Sequence, residues 1–237
     1  MIAPKSTAWA DPGPLETNSF PERINARVVT PGSQPRIHGY DVEQDLAQHY
    51  GLLEVAYLAL TGELPEPEIA VALNAVLVTF SPISVASAPT HAALLARLCG
   101  APPSSVMSVS AIGLAEQVRS LLDEHEAILP LLTAPETELP EVFRSQDPDE
   151  LMAVEQLARV LDGAGVRVPA LYQHPKRDVA ILAALVGCGL AARHQIEAML
   201  VWARLPVVMA EAMTEKPGDF KSYPANLPQF EYREVES

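Results

Sequence analysis

The sequence predicts an all-α protein, and three observations carry that expectation. Ala and Leu dominate the apolar positions, only 5% of the chain is aromatic, and no run of β-branched residues alternates with polar ones as a half-buried strand requires. With 237 residues, 49% of them hydrophobic, and a mean hydropathy of +0.12, the chain can bury a substantial core in one or two globular units. Its apolar runs are broken by charge or proline before the roughly 18 residues that a membrane-spanning helix needs. The opening Met1-Ile2-Ala3-Pro4-Lys5 lacks the continuous apolar stretch of a secretory signal.

Residues 1–34 hold seven prolines and glycines in no periodic order, with Trp9, Phe20 and Ile24 isolated among them. This reads as an extended arm suited to packing on a partner. Asp41 caps a short helix reaching about residue 48, residues 52–61 form a second that Gly62 stops in the left-handed conformation, and Pro67 opens a third through residue 80. Residues 81–89 are small and polar, hence a loop, after which Thr90 opens a helix with Ala92, Leu95, Ala96 and Cys99 on one face until Gly100.

Pro102-Pro103-Ser104-Ser105 starts the next helix with a hydroxyl cap, and its apolar pattern runs to about residue 132 with a break at 116–119. Residues 135–140 are a linker. Asp147-Pro148-Asp149-Glu150 combines a cap, a proline at the first helical position and a glutamate placed to return the bond. That helix ends at 162–165. Another covers 176–186 and stops in Gly187-Cys188-Gly189; the last covers 193–215, with a kink or junction at Leu205-Pro206. The tail from Gly218 carries Phe220, Tyr223, Pro224, Phe230 and Tyr232 among acids and is not self-packing.

A net charge of −14 argues against nucleic acid or an anionic membrane as partner, because both need clustered cations. The densest basic cluster is His174, Lys176 and Arg177. Cys99 and Cys188 lie far apart in apolar helical stretches and read as two buried thiols in a reducing cytoplasm. The acids Asp147, Asp149 and Glu150 have no paired histidines, and neither a Gly-rich phosphate loop nor Cys-x-x-Cys occurs. Metal and nucleotide sites are therefore poor readings.

Two stretches carry more than secondary structure. Arg36-Ile37-His38-Gly39-Tyr40-Asp41, followed by Glu54-Val55-Ala56-Tyr57-Leu58-Ala59-Leu60-Thr61-Gly62-Glu63-Leu64-Pro65, resembles the N-terminal signature of the citrate synthase and citryl-CoA lyase family. Residues 90–101 resemble the family helix ending in Ser-Thr-Gly-Ala, and residues 105–114 its next, Ala/Gly-rich helix. Arg177-Asp178-Val179-Ala180 resembles its Asn-Val-Asp helix start, and Val201-Trp202-Ala203-Arg204-Leu205-Pro206 its Ala-x-Arg-x-Pro/Gly segment. The likeness covers residues 36–216. It implies a helical large domain from 36–134 and 176–216, a reduced small domain at 136–175, an arm at 1–35 and a tail at 217–237.

The family joins or cleaves a carbon-carbon bond between an acyl-CoA and an oxo-acid, using one aspartate and two histidines. A carboxylate suits removal of the weakly acidic thioester α-proton, and fixed donors hold the enol and the oxo-acid. The resemblance places Asp178 at the base, beside Lys176 and Arg177 as substrate-binding candidates; a plain helix cap is the open alternative. One histidine place falls on Arg119, which cannot serve as a neutral imidazole, and the other on Ser84. His91 is the substitute candidate, weighed against a partly buried structural role.

His38 stands where the family turn carries an arginine, a candidate carboxylate contact or a surface turn residue. Arg204 matches an arginine facing the bound acid, where a bidentate grip suits a carboxylate; a structural salt bridge to Glu197 or Glu211 is the alternative. In the tail, only Lys221 and Pro224 remain of an Arg-Pro-Arg run that reaches the neighbouring subunit's site. The expectation is a non-catalytic or regulatory subunit, in a homodimer or with an active homologue through residues 105–122 and 196–213. A divergent enzyme of the family, or a CoA-ester or carboxylate binder without turnover, is the alternative. No resident cofactor is expected; a CoA thioester would be substrate.

Overall fold

The computed structural model describes residues 25–134 and 138–218. Most of the expected arm, residues 135–137 and the aromatic tail lie outside the described residues. The chain divides into two compact units, Met1–Tyr50 and Gly51–Ser237.

In the first unit, β1 (Val29–Thr30), β2 (Arg36–Ile37) and β3 (Tyr40–Asp41) pair antiparallel in sequence order, with Val29 opposite Ile37 and Arg36 opposite Asp41. Asp41 also caps the next turn, its carboxylate accepting from the Glu43 and Gln44 N–H groups at 3.0 and 2.8 Å. That turn is π-helical over Val42–Leu46 and tightens into α1 (Ala47–His49).

The described residues of the second unit are mainly helical, with one isolated β-bridge between Arg144 and Pro175. The unit comprises α2 (Leu52–Thr61), α3 (Pro67–Phe80), α4 (Ala88–Leu98), α5 (Pro103–Glu124), α6 (Leu129–Leu132), α7 (Pro148–Gly163), α8 (Arg177–Gly187) and α9 (Arg193–Thr214). Single 3-10 turns lie at Glu141–Phe143 and Pro169–Gln173. Gly62, Gly100, Gly165 and Gly189 all adopt positive φ just past helix ends, the left-handed stops that the sequence marks.

Four local expectations need correction. Helix α4 begins at Ala88, two residues early, because Pro89 needs no backbone donor in a first turn. Helix α5 is capped by no side chain and is unbroken at 116–119. There Leu114, Val118 and Leu122 continue the buried stripe while Glu116 and Arg119 pair on the outer face. The chain breaks later, at His125. Glu150 does not return a bond to its cap: its Oε2 accepts from Ser145 Oγ at 2.5 Å, and Ser145 Oγ accepts from the Asp147 N–H at 3.1 Å. Finally, Cys188 is buried but Cys99 is exposed, and both are free.

Two larger apolar centres hold the unit together, with α9 running through both, beside a small one of Ile128, Leu139 and Val179. Ala93, Val106, Leu114, Val208 and Ala212 lock α4, α5 and the second half of α9 together. Gly113 lets α4 come close, since a Cβ there would stand 3.0 Å from Pro89 Cα. Pro206 interrupts the hydrogen-bond ladder of α9 without breaking the helix; Val208 and Ala212, fully buried beyond it, hold the last turns in line.

The larger centre joins α3, α7, α8 and the first half of α9 through Leu73, Val76, Leu157, Leu161, Ile196 and Leu200. Helix α8 is its axis: every residue from Val179 to Leu185 is buried. A helix apolar on all sides must be covered on all sides, and each buried Leu or Ile contributes roughly 1.5–3 kcal/mol. Among the described residues no helix is long and apolar enough to cross a membrane, and no group of three or more His, Cys, Asp or Glu could hold a metal ion.

Candidate functional site

The core position of α8 places its polar first turn at the edge of the larger centre. Arg177 and Asp178 are its first two residues, both exposed, and the preceding Lys176 makes no side-chain cap bond. Asp178 is thus inside the first turn rather than capping it. Arg177 Nη2 donates to the Thr79 carbonyl at 3.4 Å, and on the next residue Arg204 Nε donates to the Phe80 carbonyl at 3.0 Å. Two guanidiniums from different helices therefore converge on the C-terminal end of α3, where backbone carbonyls have no helical partner.

Arg204 is further fixed by a bond from Nη1 to Gln117 Oε1 at 3.2 Å and by stacking, its Cζ 3.7 Å above the Phe80 ring. Burial lowers its pKa, the Asp178 charge opposes that and the Arg177 charge adds to it. Guanidinium nevertheless stays charged at any ordinary pH. Neither Glu197 nor Glu211 is its partner among the described residues, so the salt-bridge alternative is not what holds it. Nη2 makes no hydrogen bond to the described residues. Two cations, Arg177 and Arg204, and one carboxylate, Asp178, leave this corner net positive on an acidic protein.

The other expected residues lie in different surroundings. Ser84 sits in the loop after α3, where its Oγ accepts from the Ala86 N–H at 3.1 Å and its carbonyl from the Ser87 N–H at 3.0 Å. His91 is a half-buried residue in the first turn of α4, its N–H bonded to the Ser87 carbonyl at 2.9 Å. Beside it, Thr90 is fully buried, and its Oγ1 has no hydrogen-bond partner. Arg119 is exposed and ion-paired with Glu116, which raises its pKa, and its carbonyl accepts from Arg193 at 3.2 Å. His38 belongs to the N-terminal unit, where it adopts φ 46° in the β2–β3 turn.

Lys176 holds a backbone bond to the Phe143 carbonyl at 2.9 Å. His174, from the same basic cluster, lines a groove of about 600 Å³ with Leu151, Met152, Arg159 and Tyr172. That groove lies along α7 and includes none of Asp178, His91 or Arg204. Gln117, Thr79 and Phe80 were not legible as site residues. A backbone carbonyl leaves no mark in sequence, and Gln117 reads as one more polar residue on a helix.

A helical unit centred on a buried α8 and crossed by a long α9 is the citrate-synthase-like fold. Solved structures share it. Citryl-CoA lyase from Hydrogenobacter thermophilus superimposes with a TM-score of 0.62 over 90% of this chain and 98% of that one, at 18% identity. ATP citrate lyase from Methanothrix soehngenii, solved in complex with citrate and coenzyme A, gives 0.56 at 12% identity over 92% of this chain and 43% of that one. No protein-family model and no curated protein matches the sequence. What is shared at these identities is the fold.

Proposed function

We propose that this protein is a citryl-CoA-lyase-like chain without the family's condensing or cleaving activity, serving as a non-catalytic or regulatory subunit beside a catalytically complete homologue. The observation that carries this is Arg119. The resemblance puts Arg119 at a place where the family chemistry needs a neutral imidazole, and there it offers an exposed guanidinium engaged by Glu116. Ser84, at the other histidine place, is occupied with its own loop. Loss of one positioned donor typically costs roughly 100-fold to 1,000-fold in turnover, and on this reading two are replaced.

The corner at Arg204 supports retained binding of a carboxylate, and the partner helices would be α5 and α9. Free-thiol release from acetyl-CoA and oxaloacetate, or from citryl-CoA, by the purified protein should stay at the level of the buffer. Turnover typical of a citryl-CoA lyase would overturn this reading.

One observation favours the alternative of a divergent enzyme: Asp178 stands close enough to Arg204 to stabilise its charge, as a base beside a substrate grip would. If slow turnover is found, Asp178→Asn should abolish it. An unchanged rate would remove Asp178 from the mechanism.

A further inference from the structure

We infer that the groove along α7 is a binding site for an amphipathic carboxylate, an acid with an aliphatic body, whose head group pairs with His174. The inference goes beyond the proposed function, since the groove holds none of the residues of the Arg204 corner.

The turn that carries His174 is held in place from both sides. His174 is left-handed, at φ 57° and ψ 45°, a conformation uncommon for a residue with a Cβ, which persists only where the surroundings over-determine it. Residues 139–145 do so here. The Ser145 N–H donates to the His174 carbonyl at 2.8 Å, the Lys176 N–H to the Phe143 carbonyl at 2.9 Å, and the Leu139 N–H to Gln173 Oε1 at 2.6 Å. Arg144 ties this segment to itself, its Nε donating to the Leu139 carbonyl at 2.9 Å. The side chain fixed in this way is an exposed imidazole that hydrogen-bonds to none of the described residues.

Tyr172 and His174 line two grooves at once, the one of about 600 Å³ along α7 and another of about 420 Å³ that includes Arg144. The first has the size of a small-molecule pocket, roughly 300–1,000 Å³. Its lining is mainly aliphatic, with Leu151, Val154, Ala158 and Leu171, and within it Met152 is left 60% exposed. A thioether chain adapts readily to an alkyl body. The polar groups select the head. Glu155 pairs with Arg159 at 3.0 Å, Glu138 with Arg144 at 2.7 Å, and Asp162 accepts from Tyr172 Oη. Every carboxylate lining the two grooves thus has a donor already, so a ligand cation meets no free acid. A ligand carboxylate meets the unbonded imidazole, with Arg159 in one groove and Arg144 in the other, and exposed ion pairs exchange partners at little cost.

Nuclear magnetic resonance of the full chain, labelled at its methionine methyls and titrated with octanoate, tests the assignment; Met152→Leu identifies the Met152 signal. The expected result is a saturable shift of that signal, absent with octanol, with octylamine and with citrate, which has a carboxylate but no aliphatic body. His174→Gly should abolish the shift and leave the urea unfolding midpoint no lower than in the wild type, because glycine takes up a positive φ without strain. A purely structural imidazole would not give that combination of lost binding and an intact fold. A Met152 signal unmoved by octanoate, an equal shift with octanol or octylamine, a shift with citrate, or a His174→Gly variant that binds as the wild type does or unfolds at lower urea would each overturn the inference.

Discussion

Arg204 donates to the Phe80 carbonyl while its guanidinium lies over the ring of the same residue. One side chain of α9 thereby caps the end of α3 and is itself held flat. This rigidity distinguishes it from a surface arginine: a grip that is already ordered loses less conformational entropy when a carboxylate arrives.

Arg204→Met should therefore separate scaffold from grip. The methionine stem can still cover Phe80, but the bonds to Phe80 and Gln117 go, at a cost of about 1–3 kcal/mol in urea unfolding. If the corner holds a carboxylate as proposed, citrate should raise the unfolding temperature of the wild type, and that shift should vanish in the variant. Arg204→Lys should lose it too, since one ammonium cannot reproduce two fixed bonds and a planar edge. A citrate shift that survives both variants would locate carboxylate binding elsewhere.

Burial pushes the Cys188 thiol from its ordinary 9.0 up to about 12. Below 9.0 both folded and unfolded chains keep the proton. Above it the unfolded thiol ionises first, so this group's contribution to stability falls as pH rises, by up to ~1.4 kcal/mol per pH unit, until the folded thiol also titrates. Tyr57, raised chiefly by burial and then by Cys188 and Glu63, acts with the same sign at higher pH. Cys188→Ala should flatten the alkaline limb of unfolding midpoint against pH. In the native protein iodoacetamide should label Cys99 alone, with Cys188 reacting only on unfolding.

Much of the fold could be read from punctuation. Gly62 and Pro67 bound α2 and α3 at the expected residues because a left-handed stop and a first-turn proline act locally. Misreadings arose where tertiary context decides. Glu116 and Arg119 look like a break only when the buried stripe continuing past them is unseen, and Ser145, which intercepts Glu150, lies outside the capping pattern. For the candidate site, sequence supplied Arg204, Arg177 and Asp178 as separate residues. The convergence of the two arginines rests on two carbonyls of α3, which no side-chain pattern reveals.

Thr90 is an opposite case, a polar group that burial leaves without a partner. A buried hydroxyl that makes no bond costs about 1–3 kcal/mol relative to water. Thr90→Val keeps the branched shape and removes that cost, so urea unfolding should show the variant equal to or about 1 kcal/mol more stable than the wild type. A loss of that size would mean that the hydroxyl is bonded in solution.

Gly189 and Tyr57 are closely coupled in the second unit. Tyr57 Oη donates to the Cys188 carbonyl at 3.1 Å, directly before Gly189, which holds φ +88° at the end of α8. A Cβ at position 189 would stand 2.6 Å from Tyr57 Oη. Gly189→Ala thus suffers twice, from the left-handed backbone at roughly 1–2 kcal/mol and from displacing a buried hydroxyl off its acceptor. Tyr57→Phe alone should cost about 1 kcal/mol for the lost bond. With the hydroxyl gone the alanine methyl has room, and only the backbone cost remains. The double variant should then be more stable than the two single losses predict, by roughly 0.5–3 kcal/mol in a double-mutant cycle. Additive losses would show that Tyr57 does not press on position 189.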